Sequence, residues 1–190
     1  MLKFILSLFI KKQQSVSIVK TNIESKEEKM SDNKIKCWNF TEQEYTKKMN
    51  MAPEDMPAEH RKNLQKLLKT VNELGTLVPD NLKGPRNMSS GYRSKEYQIN
   101  VYKNLAKQKK SPFTDGVYVQ SKVPLGSAHM TGEAMDINDP DNELDEWLMS
   151  DEGKKVVEKL DIYLEHKDYT DGWCHVQIRK PKSGNHYFIP

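Results

Sequence analysis

Ser127-Ala128-His129-Met130-Thr131-Gly132-Glu133-Ala134-Met135-Asp136-Ile137 is the stretch on which the architecture turns. Thr131-Gly132 lets the chain reverse before Ala134-Met135-Asp136-Ile137, a short run with period-two alternation. In a strand, successive side chains point to opposite faces, so Met135 and Ile137 turn to the core and Asp136 to the open side. His129 stands seven residues before Asp136, on the far side of the turn.

A second stretch, Trp173-Cys174-His175-Val176-Gln177-Ile178, repeats the pattern. Cys174, Val176 and Ile178 are expected in the core, and His175 and Gln177 on the other face. Two histidines and one carboxylate on one side of a sheet form a catalytic type of zinc site, three protein ligands with a position left open. The plainer alternative is a hydrogen-bonded strand histidine with no metal.

Working outward, Thr41 and Glu44 have capping-box spacing and start a helix. From Pro57 a second helix carries Leu64, Leu67, Leu68, Val71 and Leu74 at helical spacing, with Gly75 as its terminator. Asn87 to Tyr92 reads as a strand, and Ser94 caps a helix over 95–107 with Val101 and Leu105 inward. A helix is expected from Asn142 to Leu164, broken near Ser150-Asp151, and a last strand over 187–189. These elements predict an α+β fold, a small antiparallel sheet with helices packed around it.

Three motifs in order, Ser90-Gly91-Tyr92-Arg93-Ser94, then Ser127-x-His129-x-x-Gly132-x-Ala134-x-Asp136, then Trp173-Cys174-His175-Val176, resemble the zinc D-alanyl-D-alanine carboxypeptidase family. That family includes phage L-alanyl-D-glutamate endolysins and D-alanyl-D-alanine dipeptidases, and shares its fold with the hedgehog signalling domain. The resemblance runs from about Leu64 to Pro190, and the ending Pro181 to Pro190 is similar to phage-encoded members. It implies one zinc ion per chain on His129, Asp136 and His175, and a peptidoglycan peptide as substrate. It implies that Arg93 contacts the substrate and polarises the scissile carbonyl, and that Ser127 lies near the substrate. A structural ion pair is the other reading of Arg93, and loop capping that of Ser127.

Many members carry a Glu or Asp base three residues before the last ligand, where this chain has Gly172. Asp171, returned to the site by a bulge at Gly172, is the preferred base. His186 is the alternative, and His166 lies too far upstream. Gly172 also keeps open a zinc-stabilised binding module without catalysis, or a structural part of a phage particle.

The chain has 190 residues, room for one domain over 37–190 behind an N-terminal arm. Over 11–36 the chain lacks aromatics and is rich in Lys, Glu, Ser and Asn, which reads as a disordered linker. The apolar run from Leu2 to Ile10 is too short to span a bilayer. Residues 1–30 are either a weak export or membrane-association segment or upstream sequence, since Met30 opens a more ordinary beginning. A net charge of +3 with no basic block interleaved with aromatics argues against nucleic acid. Cys37 and Cys174, the only cysteines, make no disulfide framework and fit synthesis in a reducing cytoplasm. A monomer acting at the cell wall or in a virion is expected.

Overall fold

The structure, a computed structural model, describes residues 38–190. The arm and linker expected over 1–36 lie outside the described residues. The helices are α1 (Glu42–Thr46), α2 (Ala58–Leu77), α3 (Lys95–Lys107), α4 (Glu143–Leu148) and α5 (Asp151–Leu160). The strands are β1 (Met88–Ser90), β2 (Ala134–Asn138), β3 (Tyr163–Glu165), β4 (Trp173–Gln177) and β5 (Tyr187–Phe188). They form one sheet in the order β1-β2-β4-β3-β5.

The α+β expectation holds, with one difference in the sheet. Every pairing is antiparallel except β3 with β5, which run parallel. After β4 the chain crosses β3 and returns alongside it, with the Leu164 amide donating to His186 O and the His166 amide to Phe188 O.

Capping chemistry sets several of the helix starts. The Glu44 amide donates to Thr41 Oγ1 at 3.2 Å, and the Tyr97 amide to Ser94 Oγ at 3.2 Å. Buried Asp139 accepts from the Leu144 and Asp145 amides, closing the start of α4, while Arg86 Nη1 sits 2.9 Å from its Oδ1. The break between α4 and α5 falls where expected, with Ser150 Oγ accepting from the Gly153 amide.

Three expectations need correction. First, α2 does not stop at Gly75 but runs on to Leu77. A Cβ at Gly75 would lie 2.6 Å from Trp38 Cγ, so this glycine makes room for the indole rather than ending the helix. Second, α3 buries Gln98 and Ala106, while Val101 and Leu105 are only partly covered. Third, the helix expected to reach Leu164 ends at Leu160. Asp161 takes a left-handed conformation (φ 49°), and Tyr163–Glu165 form β3.

The core lies on one face of the sheet. Met135, Ile137, Cys174 and Val176 meet Leu64, Leu67, Val71 and Leu74 of α2 and Leu144, Leu148 and Val157 of α4 and α5. Burying each such aliphatic side chain contributes about 1.5–3 kcal/mol relative to exposure. The opposite face of β2 and β4 carries Asp136, His175 and Gln177.

Candidate metal centre

One 3₁₀ turn and two strands bring His129, Asp136 and His175 together. Asp136 and His175 are direct cross-strand partners in the register of β2 and β4. His129 arrives from a 3₁₀ turn over Ala128–Thr131, which Gly132 ends at φ +77°. A Cβ at Gly132 would stand 2.3 Å from His60 O on α2, so both the turn and the close approach demand glycine. Arg179, just beyond β4, donates to Glu133 Oε2 (2.7 Å), to Gly126 O (2.6 Å) and to Thr131 Oγ1, clamping the loop that bears His129.

The three side chains are nearly covered, at 3%, 6% and 5% exposure for His129, Asp136 and His175. Each offers one donor atom, and the three atoms lie within 4.8 Å of one another. His129 Nε2 is 3.2 Å from Asp136 Oδ1, and His175 Nδ1 is 2.8 Å from the same oxygen. Tetrahedral zinc with bonds of 2.0–2.1 Å sets its ligand atoms about 3.3 Å apart, so small side-chain adjustments would admit the ion.

The tautomers agree with that use. His129 Nδ1 donates to Gly91 O at 2.9 Å, which leaves the Nε2 lone pair for a metal. His175 Nε2 donates to Gln177 Oε1 at 3.2 Å, freeing Nδ1. Gln177 is itself oriented by donation from its Nε2 to Arg179 O. The donor set and the hydrogen bonds behind it fit zinc.

The electrostatics follow from this packing. Burial depresses His129 below the ordinary histidine value, although the charge and hydrogen bond of Asp136 oppose it. Burial also works against charge on His175, but the hydrogen bond and charge of Asp136 outweigh it and the ring is raised above its ordinary value. Burial disfavours the Asp136 carboxylate too. The two histidines overcome that and hold it well below the usual carboxylate range.

Arg93 Nη2 is 3.0 Å from Asp136 Oδ2, and both Nε and Nη2 donate to Ser90 Oγ. Its guanidinium therefore holds the outer oxygen of Asp136 and leaves Oδ1 to the histidines, while still lining the cleft. Ser127 lines the same cleft, and its hydroxyl makes no capping bond to the 3₁₀ turn that follows. The cleft encloses about 1050 Å³.

The two residues weighed as base stand elsewhere. Asp171 is exposed and outside the cleft wall, because the turn at Gly172 (φ +82°) does not carry it inward. His186 is stacked on Tyr163 at 4.9 Å with Nδ1 bonded to Ile162 O, also away from the cleft. One residue that the sequence reading passed over does line it: Glu165, at the end of β3. Burial raises its carboxyl above the ordinary value, with His175 opposing and Asp136 adding to the rise. The signal in the sequence was Ile162-Tyr163-Leu164, a β-prone run hidden inside a helical apolar pattern.

Residues 54–171 match the family model described as VanY, D-alanyl-D-alanine carboxypeptidase. That span contains Arg93, Ser127, His129 and Asp136, and His175 joins them from beyond its end through the pairing of β2 with β4. No curated protein and no solved structure matches the chain.

Proposed function

The chain belongs to the D-alanyl-D-alanine carboxypeptidase family, and from that premise we propose that it is a zinc-dependent peptidase hydrolysing stem peptides or cross-links of peptidoglycan. The observation that carries the zinc assignment is the convergence of His129 Nε2, Asp136 Oδ1 and His175 Nδ1, each histidine with its other nitrogen tied off. These three atoms would hold the ion. Zinc bound there supplies a Lewis acid that polarises the scissile carbonyl and makes water a competent nucleophile near neutral pH.

The chain's own groups do the rest. Arg93 orients Asp136 and presents its remaining guanidinium edge to the cleft, where it stabilises negative charge on the carbonyl oxygen. The Ser127 hydroxyl offers a hydrogen bond to the bound peptide. The Phe188 ring packs edge-on against His175 with centroids 6.2 Å apart, limiting water beside the ligands.

Action at the cell wall as a monomer, as part of phage lysis machinery or of a virion, accords with the family and with the resemblance of the C-terminus to phage members. Among the described residues no helix is long and apolar enough to cross a membrane.

A second reading, a zinc-stabilised binding module, is favoured by the engagement of Arg93 with Asp136 and Ser90. One experiment separates the two. Zinc-loaded protein is incubated with muropeptides carrying pentapeptide stems and with cross-linked dimers, and products are read by mass spectrometry. Loss of a terminal D-alanine or opening of a cross-link supports the peptidase, and the mass lost identifies the bond. Intact muropeptides that nonetheless bind the protein would establish the module instead.

A further inference from the structure

We propose that Glu165 is the proton-transfer residue of this site, an assignment that rests on the peptidase reading above. The resemblance places a base on the approach to β4, at Gly172, where this chain has no side chain. The geometry supplies a carboxylate from the neighbouring strand.

β3 and β4 are antiparallel, with Tyr163 opposite Gln177 and Leu164 opposite Val176. One further step in that register sets Glu165 across from His175, which is itself opposite Asp136. On the far side, Glu165 is paired with Phe188 of β5, and Ser90 of β1 is paired with Asp136. A single row therefore crosses all five strands on the cleft face: Ser90, Asp136, His175, Glu165, Phe188. Directly opposed side chains have Cβ atoms about 4.5–5.5 Å apart, so the Glu165 carboxylate reaches the space beside the ligands.

It is not a fourth ligand here, because its oxygens fall outside the set of donors that cluster within 4.8 Å. Nor is it engaged by a cation. The ion pairs near the cleft use Asp136, Glu133 and Asp168, and among the described residues none uses Glu165. Asp168, the other carboxylate on the cleft wall, is exposed and paired with His166. Glu165 is thus the half-buried, unpaired carboxylate facing the reacting space.

The step balances without a further reagent. The attacking water forms the new C–O bond and gives its proton to a Glu165 oxygen. As the C–N bond breaks, Glu165 returns that proton to the leaving nitrogen, which departs as the amine, and the carboxylate is restored. Glu165 acts as base and then as acid within one turnover.

The test uses the full chain with Glu165→Gln, Glu165→Asp and Glu165→Ala. Zinc per chain is measured by metal analysis, and the Kd for a pentapeptide stem by calorimetry. Steady-state turnover on the same peptide completes the set. Glu165→Gln is expected to keep one zinc and the wild-type stem Kd while kcat falls by about 10²–10⁴. Glu165→Asp should keep part of kcat, and formate added to Glu165→Ala should restore part of it, as a structural role would not. Undiminished kcat in Glu165→Gln overturns the assignment. So does loss of zinc, or a dead Glu165→Ala that formate leaves dead. A wild type that binds zinc but cuts no stem peptide defeats the peptidase reading, and this role with it. A cutting wild type with an equally active Glu165→Gln defeats this role alone.

Discussion

Asp136 and His175 face each other across adjacent antiparallel strands, and His175 Nδ1 stands 2.8 Å from Asp136 Oδ1. His129 closes the third side, and the three side chains together could hold a metal ion.

His129→Ala and His175→Ala are each expected to bring zinc from one per chain to near zero in dialysed protein. Asp136→Asn should do the same, since an amide is a poorer ligand and loses the charge that Arg93 holds. Metal analysis decides it. Stoichiometric zinc in either histidine variant would remove the site.

Arg93→Ala is expected to weaken zinc binding about 10–100-fold, the usual effect of losing a group that orients a ligand. Competition with a chromophoric chelator measures it. Arg93→Lys should not restore affinity, because the forked contact to Ser90 and Asp136 needs the planar guanidinium. Wild-type affinity in Arg93→Ala would assign the arginine to substrate alone.

Asp171→Asn and His186→Gln should both turn over peptide at close to the wild-type rate. Neither side chain borders the cleft. An order-of-magnitude loss of kcat in one of them, with zinc retained, would return the base to that residue.

Gly132→Ala should destabilise the domain by about 2–4 kcal/mol, from a side chain forced into a left-handed conformation and a Cβ driven against the α2 backbone. Urea denaturation reads the loss. Zinc affinity should fall in parallel, because the same turn carries His129.

Cys174 supplies a pH test. Burial first, and Asp145 beside it second, push its thiol well above the ordinary value. In the unfolded chain a thiol ionises near pH 8.5. Above about that pH the unfolded state binds fewer protons than the folded one, so stability falls as pH rises. Urea midpoints taken between about pH 8 and 9.5 should decline in the wild type. The decline should be shallower in Cys174→Ala, whatever that variant costs at neutral pH.

That Asp136 and His175 share the open face was readable in the sequence because strand periodicity is a strong constraint. Burying Met135 and Ile137, or Cys174 and Val176, leaves Asp136 and His175 no other face. The part that was not readable lay where two periodicities overlap. Val156, Val157, Leu160 and Leu164 continue a helical spacing, and nothing before Asp161 announces that the chain turns left-handed there. The expected helix consequently runs to Leu164 and leaves Glu165 just beyond it, with no strand to place it. The attachment of Arg93 to Asp136 depends on a contact between distant segments, which no local pattern encodes. Gly75 misled for a similar reason, since only packing against Trp38 explains a glycine inside α2.

The row that crosses the sheet also makes metal uptake a gauge of folding fidelity. A slip of one residue between β2 and β4 would swing Asp136 or His175 into the apolar interior and bring Met135 or Val176 out to replace it. Chains refolded with that error would retain strands and helices, and bulk spectroscopy would pass them as native. They would have no grip on zinc. Under the zinc binding proposed above, the fraction of refolded protein that takes up the ion would count molecules whose strands have found their proper partners.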